Sequence, residues 1–385
     1  MKTMRSLSTL SRFGIGALLM LTALIVTPRH AAANTASNTA IINTATVNYR
    51  DAGGTLQTPV TASATVTVSL VPASPTLNAP ADQNTTLAVA ATYNYTITSN
   101  ANGPDTYNLT IPSRVNSANI TGSTAVPAPT PISLGATTLF TPVTIAAGGT
   151  TALVVPSDTV ANASVNGITT GATVVINGQV YTVASVVDNA TGTSTITVNG
   201  NGTASAALTY GAVIGEQKTF TVAVTPTTMN PTTVNETVTT TVSARDSGNV
   251  AVAATDVTIT TVPAANLTVV KEVSLNGTVW ATTAAAPPGT LLYYRITVHN
   301  GGAGNATSVV ITDPLTSYTT YSAGTARRIT GAAAAYGGTV LTDLSAVDDG
   351  YDYNVTTAGT VTYNVGTVAS GVANDVQLFY RALIK

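Results

Sequence analysis

Apolar and polar residues alternate with period two through nearly all of the sequence after residue 33. That period builds strands, because successive side chains of a strand point to opposite faces of a sheet. Ala64, Val66, Val68 and Leu70 alternate with Thr65, Thr67 and Ser69. Phe220, Val222 and Val224 alternate with Thr219, Thr221 and Ala223. Leu292, Tyr294, Ile296 and Val298 alternate with Tyr293, Arg295, Thr297 and His299. Thr makes up roughly a fifth of the chain. Its branched Cβ suits a strand, where the methyl covers the sheet and the hydroxyl meets water. No window beyond residue 33 carries a helical period. The chain is predicted to be all-β, and its 385 residues to form two or three domains.

Charge excludes several functions. Only 8% of residues are charged, against roughly a quarter in an ordinary soluble domain. The 14 Lys and Arg form no cluster, so no nucleic-acid partner is expected. With no Cys there is no disulfide framework and no thiolate for metal or catalysis. Beyond residue 33 the acid–base inventory is His299, three Glu (Glu216, Glu236, Glu272) and the Asp residues. His299 has no partner at triad or metal spacing, and the Gly-rich segments follow strands without opening a helix. No enzymatic role is expected.

Residues 1–33 read as a secretory signal. Lys2, Arg5 and Arg12 make a positive n-region, residues 13–26 are apolar, Pro28 breaks the run, and Ala31, Ala32 and Ala33 supply the small residues of a cleavage site. The apolar run is short for a membrane span, and no second one follows, so no span is expected after removal of the signal. The remaining chain would carry 10 cations, 14 less Lys2, Arg5, Arg12 and Arg29, against 16 carboxylates, a formal net charge of −6. The expected location is extracellular or on the cell surface.

Punctuation divides the rest. Val71-Pro72-Ala73 and Val262-Pro263-Ala264 each end a Thr-rich strand, and each is followed by a Tyr-rich strand that runs into an Asn-Gly-type turn. Two related sandwich modules are predicted, at 72–262 and 263–385. The first exceeds the roughly 100 residues of a single sandwich. The excess, at about 148–212, contains Asn177-Gly178 between two apolar strands, a type I′ hairpin signal, and is predicted to be a small inserted β subdomain. Residues 34–71 read as a β ribbon with Ala45, Val47 and Tyr49 on one strand and Val66, Val68 and Leu70 on the other. A lone hairpin is marginal in water. The ribbon is therefore predicted to lie on another sheet, either that of its own first module or that of a neighbouring molecule by strand addition.

The segment 267–385 opens with Leu267-Thr-Val-Val-Lys271 and carries Pro288-Gly289 before Tyr294-Arg-Ile-Thr-Val-His-Asn300-Gly301. Val309-Val-Ile-Thr-Asp313-Pro-Leu315 and Tyr363-Asn-Val-Gly366 follow. As a set these residues resemble the bacterial surface-repeat domain of the domain-of-unknown-function eleven (DUF11) type, over about a third of the chain. Residues 34–145 resemble the leader and degenerate modules found ahead of such domains. The resemblance implies immunoglobulin-like sandwiches in exported bacterial surface or extracellular proteins. It implies no catalytic residues, since the family has no established common activity.

Two constellations carry candidate chemistry. Asp343, Asp348, Asp349 and Asp352 lie within ten residues of one another around a Gly and could offer oxygen ligands to Ca²⁺; no other cofactor is expected. Their spacing does not match an EF-hand loop, and the competing reading is a solvated turn whose Asp residues cap local backbone groups. Lys271 shares strand parity with Leu267, Val269 and Val273, and Asp313 with Val309 and Ile311, so both point toward the core. Three readings stay open: a Lys snorkelling to water at a sheet edge, a Lys271–Asp313 ion pair, or a spontaneous amide crosslink between them, which needs a protonated carboxyl nearby.

The function expected from these features is structural: a non-enzymatic subunit of a filament or surface layer, its partner a second copy of itself joined through the ribbon. The alternative is an adhesin or polysaccharide-binding protein that uses sandwich-end loops, with glycans or other surface proteins as partners and Trp280, Tyr318 and Tyr321 as candidate platforms.

Overall fold

The computed structural model describes residues 35–158, 160–189, 192–344 and 348–385; the expected signal lies outside them. Among the described residues every regular element is a strand, apart from one 3₁₀ turn at Val372–Asn374. The expected fold class is the one observed: all-β, with sandwich modules in series, an inserted β subdomain and an N-terminal ribbon.

The first core is filled by the inward residues of two facing sheets. Tyr93, Tyr95 and Ile97 of Ala91–Thr98 lie beside Phe220, Val222 and Val224 of Val213–Met229, and Val238, Val242 and Ala244 of Glu236–Asp246 pack from the other side. Burying a Tyr requires a partner for its hydroxyl. Thr supplies it across the sandwich: the Tyr93 hydroxyl bonds Thr260 at 2.8 Å, and that of Tyr95 bonds Thr258 at 3.0 Å. Burial pushes the Tyr95 phenol up to about 12. Thr therefore works inside this protein as well as on its surface, since Thr240, Thr258 and Thr260 are fully buried.

A second core lies among Leu139, Leu153, Val155, Val174, Ile176, Tyr181, Val183, Ile196, Val198 and Ile214. Thr173–Ile176 and Gln179–Val187 meet at Asn177 and Gly178, both with positive φ (48° and 78°), as the type I′ turn demands. Val213–Met229 is common to both cores. Its first residues, 213–217, pair with Thr173–Ile176 and Ala136–Thr138, and residues 217–229 with Ala91–Thr98 and Ile120–Ala128. One sheet thus runs through the subdomain and its host.

The C-terminal sandwich has a third core. One sheet orders Leu267–Ser274, Leu291–Asn300, Val376–Ile384, Arg327–Thr330 and Thr339–Val340, with Thr319–Tyr321 also on Val376–Ile384. The facing sheet has only three strands: Ala306–Pro314, Thr360–Val368 and Tyr351–Tyr353. Ile296, Val298, Leu378, Tyr380, Val361 and Tyr363 fill the space between them.

The ribbon consists of Ala40–Val47 paired antiparallel with Val60–Thr67, and an Arg50–Leu56 bridge continues it toward the tip. Every residue of both strands is exposed. It does not dock on its own first module. In the observed register Ile41, Asn43, Ala45 and Val47 lie opposite Val66, Ala64, Ala62 and Val60 on one face, and Ala40, Ile42, Thr44 and Thr46 lie opposite Thr67, Thr65, Ser63 and Thr61 on the other.

Candidate functional site

The site is built from two surfaces, the ribbon with its base and the open side of the C-terminal sandwich. At the base, Asn102 follows the Tyr-rich strand in a turn and is buried. Its side-chain oxygen accepts from the Val71 amide at 2.7 Å, and its side-chain amide donates to Thr35 O and Ser69 O at 3.0 and 3.3 Å. Its backbone carbonyl accepts from Ser37 at 2.9 Å. Both legs of the ribbon are thus held by one residue, while the strands beyond stand clear of the module. In the sequence Asn102 reads only as part of an Asn-Gly-Pro turn; what marks its role is contact with residues 31 to 67 positions earlier.

The apolar face of the ribbon leaves Ile41, Val47, Val60 and Val66 between 53% and 65% exposed. Of the six ribbon residues singled out in the sequence, Ala45, Val47 and Val66 lie in the paired strands on this face. Val68 continues the pairing through bonds with Asn38 and Thr39. Tyr49 lies toward the tip and is exposed, and Leu70 lies at the base, 39% exposed.

In the C-terminal sandwich, Leu267–Ser274 and Ala306–Pro314 are the edge strands of their sheets, on the same side of the domain. A cleft of about 330 Å³ opens between them, floored by Ile296 and Val298 and walled by Leu267, Val269, Val309 and Ile311. Leu267, Val269 and Lys271 face the inter-sheet space, as their parity requires, yet Val269 is 63% exposed and Leu267 38%. Val273 exchanges both backbone bonds with Ala281, at 2.8 and 3.1 Å, outside the ladder. By the alternation of an antiparallel ladder, the backbone groups of Lys271, Val269 and Leu267 also point outward, and among the described residues no strand pairs with them.

Lys271 and Asp313 come together at the end of this cleft. The ammonium lies 2.7 Å from Asp313 Oδ1 and 5.0 Å from the centre of the Tyr294 ring, with the Lys side chain 46% exposed and the Asp 10%. The Tyr380 hydroxyl donates to Asp313 Oδ2 at 2.6 Å; burial, then the nearby carboxylate, push that phenol above its ordinary value. This geometry is an ion pair with a half-exposed cation, and among the described residues the hydrogen bonds to Asp313 come from Lys271 and Tyr380.

The four aspartates do not converge. Asp343 accepts from the Tyr321 hydroxyl at 2.6 Å and the Gly324 amide at 2.5 Å. Asp348 accepts from the Thr342 hydroxyl and from the Asp349 amide at 2.8 Å. Asp349 accepts from the amides of Thr342 and Tyr351 at 2.6 and 3.1 Å. Asp352 is buried and accepts from Val355 and Thr356. The oxygens of Asp348, Asp349 and Asp352 are turned to donors of their own loop, the capping geometry of the competing reading, and those of Asp343 to Tyr321 and Gly324. Among the described residues no group of three or more acidic or His side chains is placed to hold a metal.

Two contacts lie outside what the sequence suggests. His299 Nδ1 lies 2.6 Å from Asp375 Oδ1, a pairing across 76 positions. Asp105 and Asp246 are buried side by side in the first module, and burial, followed by the neighbouring carboxylate, pushes Asp105 up to about 6. Of the aromatic candidates, Trp280 is a packing residue: it lies 5.6 Å from Phe379 and 4.7 Å from the Arg295 guanidinium, and donates to Ala334 O at 3.1 Å. Tyr321 stacks on Tyr353 at 4.1 Å. Tyr318 is exposed.

No protein-family model matches the chain, and no curated protein matches it significantly. Among solved structures, one described as BspA_C_WT aligns at 12% identity and TM-score 0.23, covering 78% of this chain and 87% of that one. A putative membrane anchored protein from Corynebacterium diphtheriae aligns at 7% identity and TM-score 0.20, covering 90% and 88%. BspA_C_mut aligns at 11% identity and TM-score 0.24, covering 89% and 90%. Overlaps this shallow identify neither a family nor a partner, and the functional reading rests on the chain's own geometry.

Proposed function

We propose that this chain is an exported, non-enzymatic structural protein of the bacterial cell surface or extracellular matrix, and that copies of it assemble by β-strand addition through the N-terminal ribbon. The observation that carries the reading is the ribbon itself: two eight-residue strands, exposed on both faces, with an unbroken apolar row on one strand. An isolated two-stranded sheet is marginal in water, and an exposed apolar strand edge is a template for pairing with another chain. The signal-like residues 1–33, the sandwich modules in series and the low charge support the same reading. Trp280 and Tyr321, two of the three candidate aromatic platforms for glycan binding, are half-buried and engaged in ring contacts within the C-terminal sandwich.

The test is light scattering and negative-stain microscopy on residues 34–385, with and without Ca²⁺, beside the same chain lacking 34–71. Filaments or sheets from the first and folded monomers from the second are expected. Monomers from the first at every concentration would sink the reading.

A further inference from the structure

We propose that the open side of the C-terminal sandwich receives the ribbon of a second copy, with Val60–Thr67 pairing along the free edge from Leu267 to Lys271 and its apolar row closing the cleft. The inference rests on the self-assembly reading above and names the acceptor that reading leaves unassigned.

Both surfaces are unfinished in the same way. Leu267 and Val269 have core parity and face the space between the sheets, yet remain exposed because the facing sheet ends at Ala306–Pro314. The N–H and C=O groups of Leu267, Val269 and Lys271 point outward along that edge, where antiparallel or parallel addition can bond them. On the ribbon, Val60, Ala62, Ala64 and Val66 form one apolar row, and Thr61, Ser63, Thr65 and Thr67 the opposite one. Laid on the edge with the first row inward, the strand meets Ile296, Val298, Val309 and Ile311, and its hydroxyls stay in water. The small Ala62 and Ala64 suit the narrow cleft between two sheets, whereas Ala40–Val47 would bring Asn43 into it.

Length and charge agree. The donor's eight residues, about 27 Å of strand, are long enough to cover the free part of the edge from Leu267 to Lys271, beyond which Val273 is already bonded to Ala281. Neither ribbon strand carries an ionisable side chain, and the charges lining the cleft are Lys271 and Asp313, which neutralise each other. No charge is buried without a partner when the cleft closes. The donor lies in the N-terminal ribbon of one chain and the acceptor in the C-terminal sandwich of the next, a head-to-tail contact that propagates.

Single cysteines test the contact directly, because the chain has none of its own. One preparation of residues 34–385 carries Val60→Cys, Ala62→Cys, Ala64→Cys or Val66→Cys, another carries Val269→Cys, and the two are mixed reduced and then oxidised. Intermolecular disulfides from the apolar row, at least ten-fold above those from Thr61→Cys or Thr65→Cys, are expected. In parallel, Val269→Arg should abolish assembly while Val257→Arg, at another exposed strand position, leaves it intact. Val269 is exposed in the monomer, so an unchanged melting temperature will show that Val269→Arg still folds. If unmodified chains assemble but Val269→Arg assembles equally, or the apolar row gives no crosslink to Val269→Cys, the acceptor assignment is overturned and self-assembly stands. If unmodified chains stay monomeric, both fall. A crosslink within one chain of a double variant, in place of one between chains, also overturns the proposal.

Discussion

Asp105 and Asp246 each keep one Oδ2 buried with no donor among the described residues, so the cost of burying Asp105 beside Asp246 depends on the Asp105 proton. Asp105 is raised by burial and by Asp246 to about 6. The folded chain therefore holds a proton that the unfolded chain releases near the ordinary carboxylate value. The stabilising share of that proton is complete below about pH 4 and is lost as pH rises through about 6. Glu236 behaves oppositely. Hydrogen bonds from Ser117 and Asn119 hold it below its usual range, so its share is present above that range and lost as pH falls through the lowered value. Asp105→Asn, which offers Asp246 an N–H, is expected to flatten the fall in urea midpoint between pH 4 and 6 and to raise stability at pH 7 by roughly 1–3 kcal/mol. An unaltered slope would locate the effect elsewhere. At Lys271 the ion pair sits at a half-exposed edge, so Lys271→Met should cost under about 1 kcal/mol. Asp313→Ala also strips the buried Tyr380 hydroxyl of its acceptor and should cost about 1–3 kcal/mol more. The intact mass should equal that of the unmodified sequence; loss of one water would mean an amide at this pair.

At the scale of the element, the ribbon's independence rests on Asn102, which ties Thr35, Ser37, Ser69 and Val71 together. Asn102→Ala removes three side-chain hydrogen bonds at the base and leaves the paired strands untouched. It should raise amide exchange in 35–71 by at least ten-fold while exchange in Ala91–Thr98 stays slow, and should weaken assembly without lowering monomer stability beyond about 1–3 kcal/mol. The strands are legible in the sequence because period two depends on near neighbours: the inward rows of Ala91–Thr98 and Leu291–Asn300 fall where alternation puts them. The Asn177-Gly178 turn is legible for the same reason. Edges are not, because whether a strand gains a second neighbour is decided far along the chain. Leu267 and Val269 read as core and lie on an open edge for that reason. Asp375, 76 residues from His299, and Asn102, some 30 residues from Ser69 and Val71, become partners only through the fold. The acidic loop leaves both a cation site and a capped turn open in sequence, because sequence shows carboxylates without showing which local amides donate to them.

Across the whole molecule, three apolar clusters do not make three cooperative units. The second cluster reads in sequence as an insertion, but Val213–Met229 puts Ile214 into that cluster and Phe220, Val222 and Val224 into the first, along one unbroken 17-residue strand. Glu216, on the same strand, accepts from Gly135 N at 2.7 Å and lies 3.3 Å from Lys218, which fixes the crossing point with polar contacts as well. Melting one cluster would strip ladder bonds from the strand that organises the other. The C-terminal core shares no strand with them and joins through 263–266, where Ala264 N donates to Asn235 Oδ1 and Gly304 N donates to Ala264 O. Calorimetry of the monomer is therefore expected to show two transitions, the larger for the first module with its subdomain and the smaller for the C-terminal sandwich. Ile214→Ala, which empties a fully buried site, should cost about 2–5 kcal/mol and lower the larger transition as a whole, leaving the smaller in place. A third transition appearing in that variant, with the first module melting at its original temperature, would mean that the shared strand does not couple the two cores.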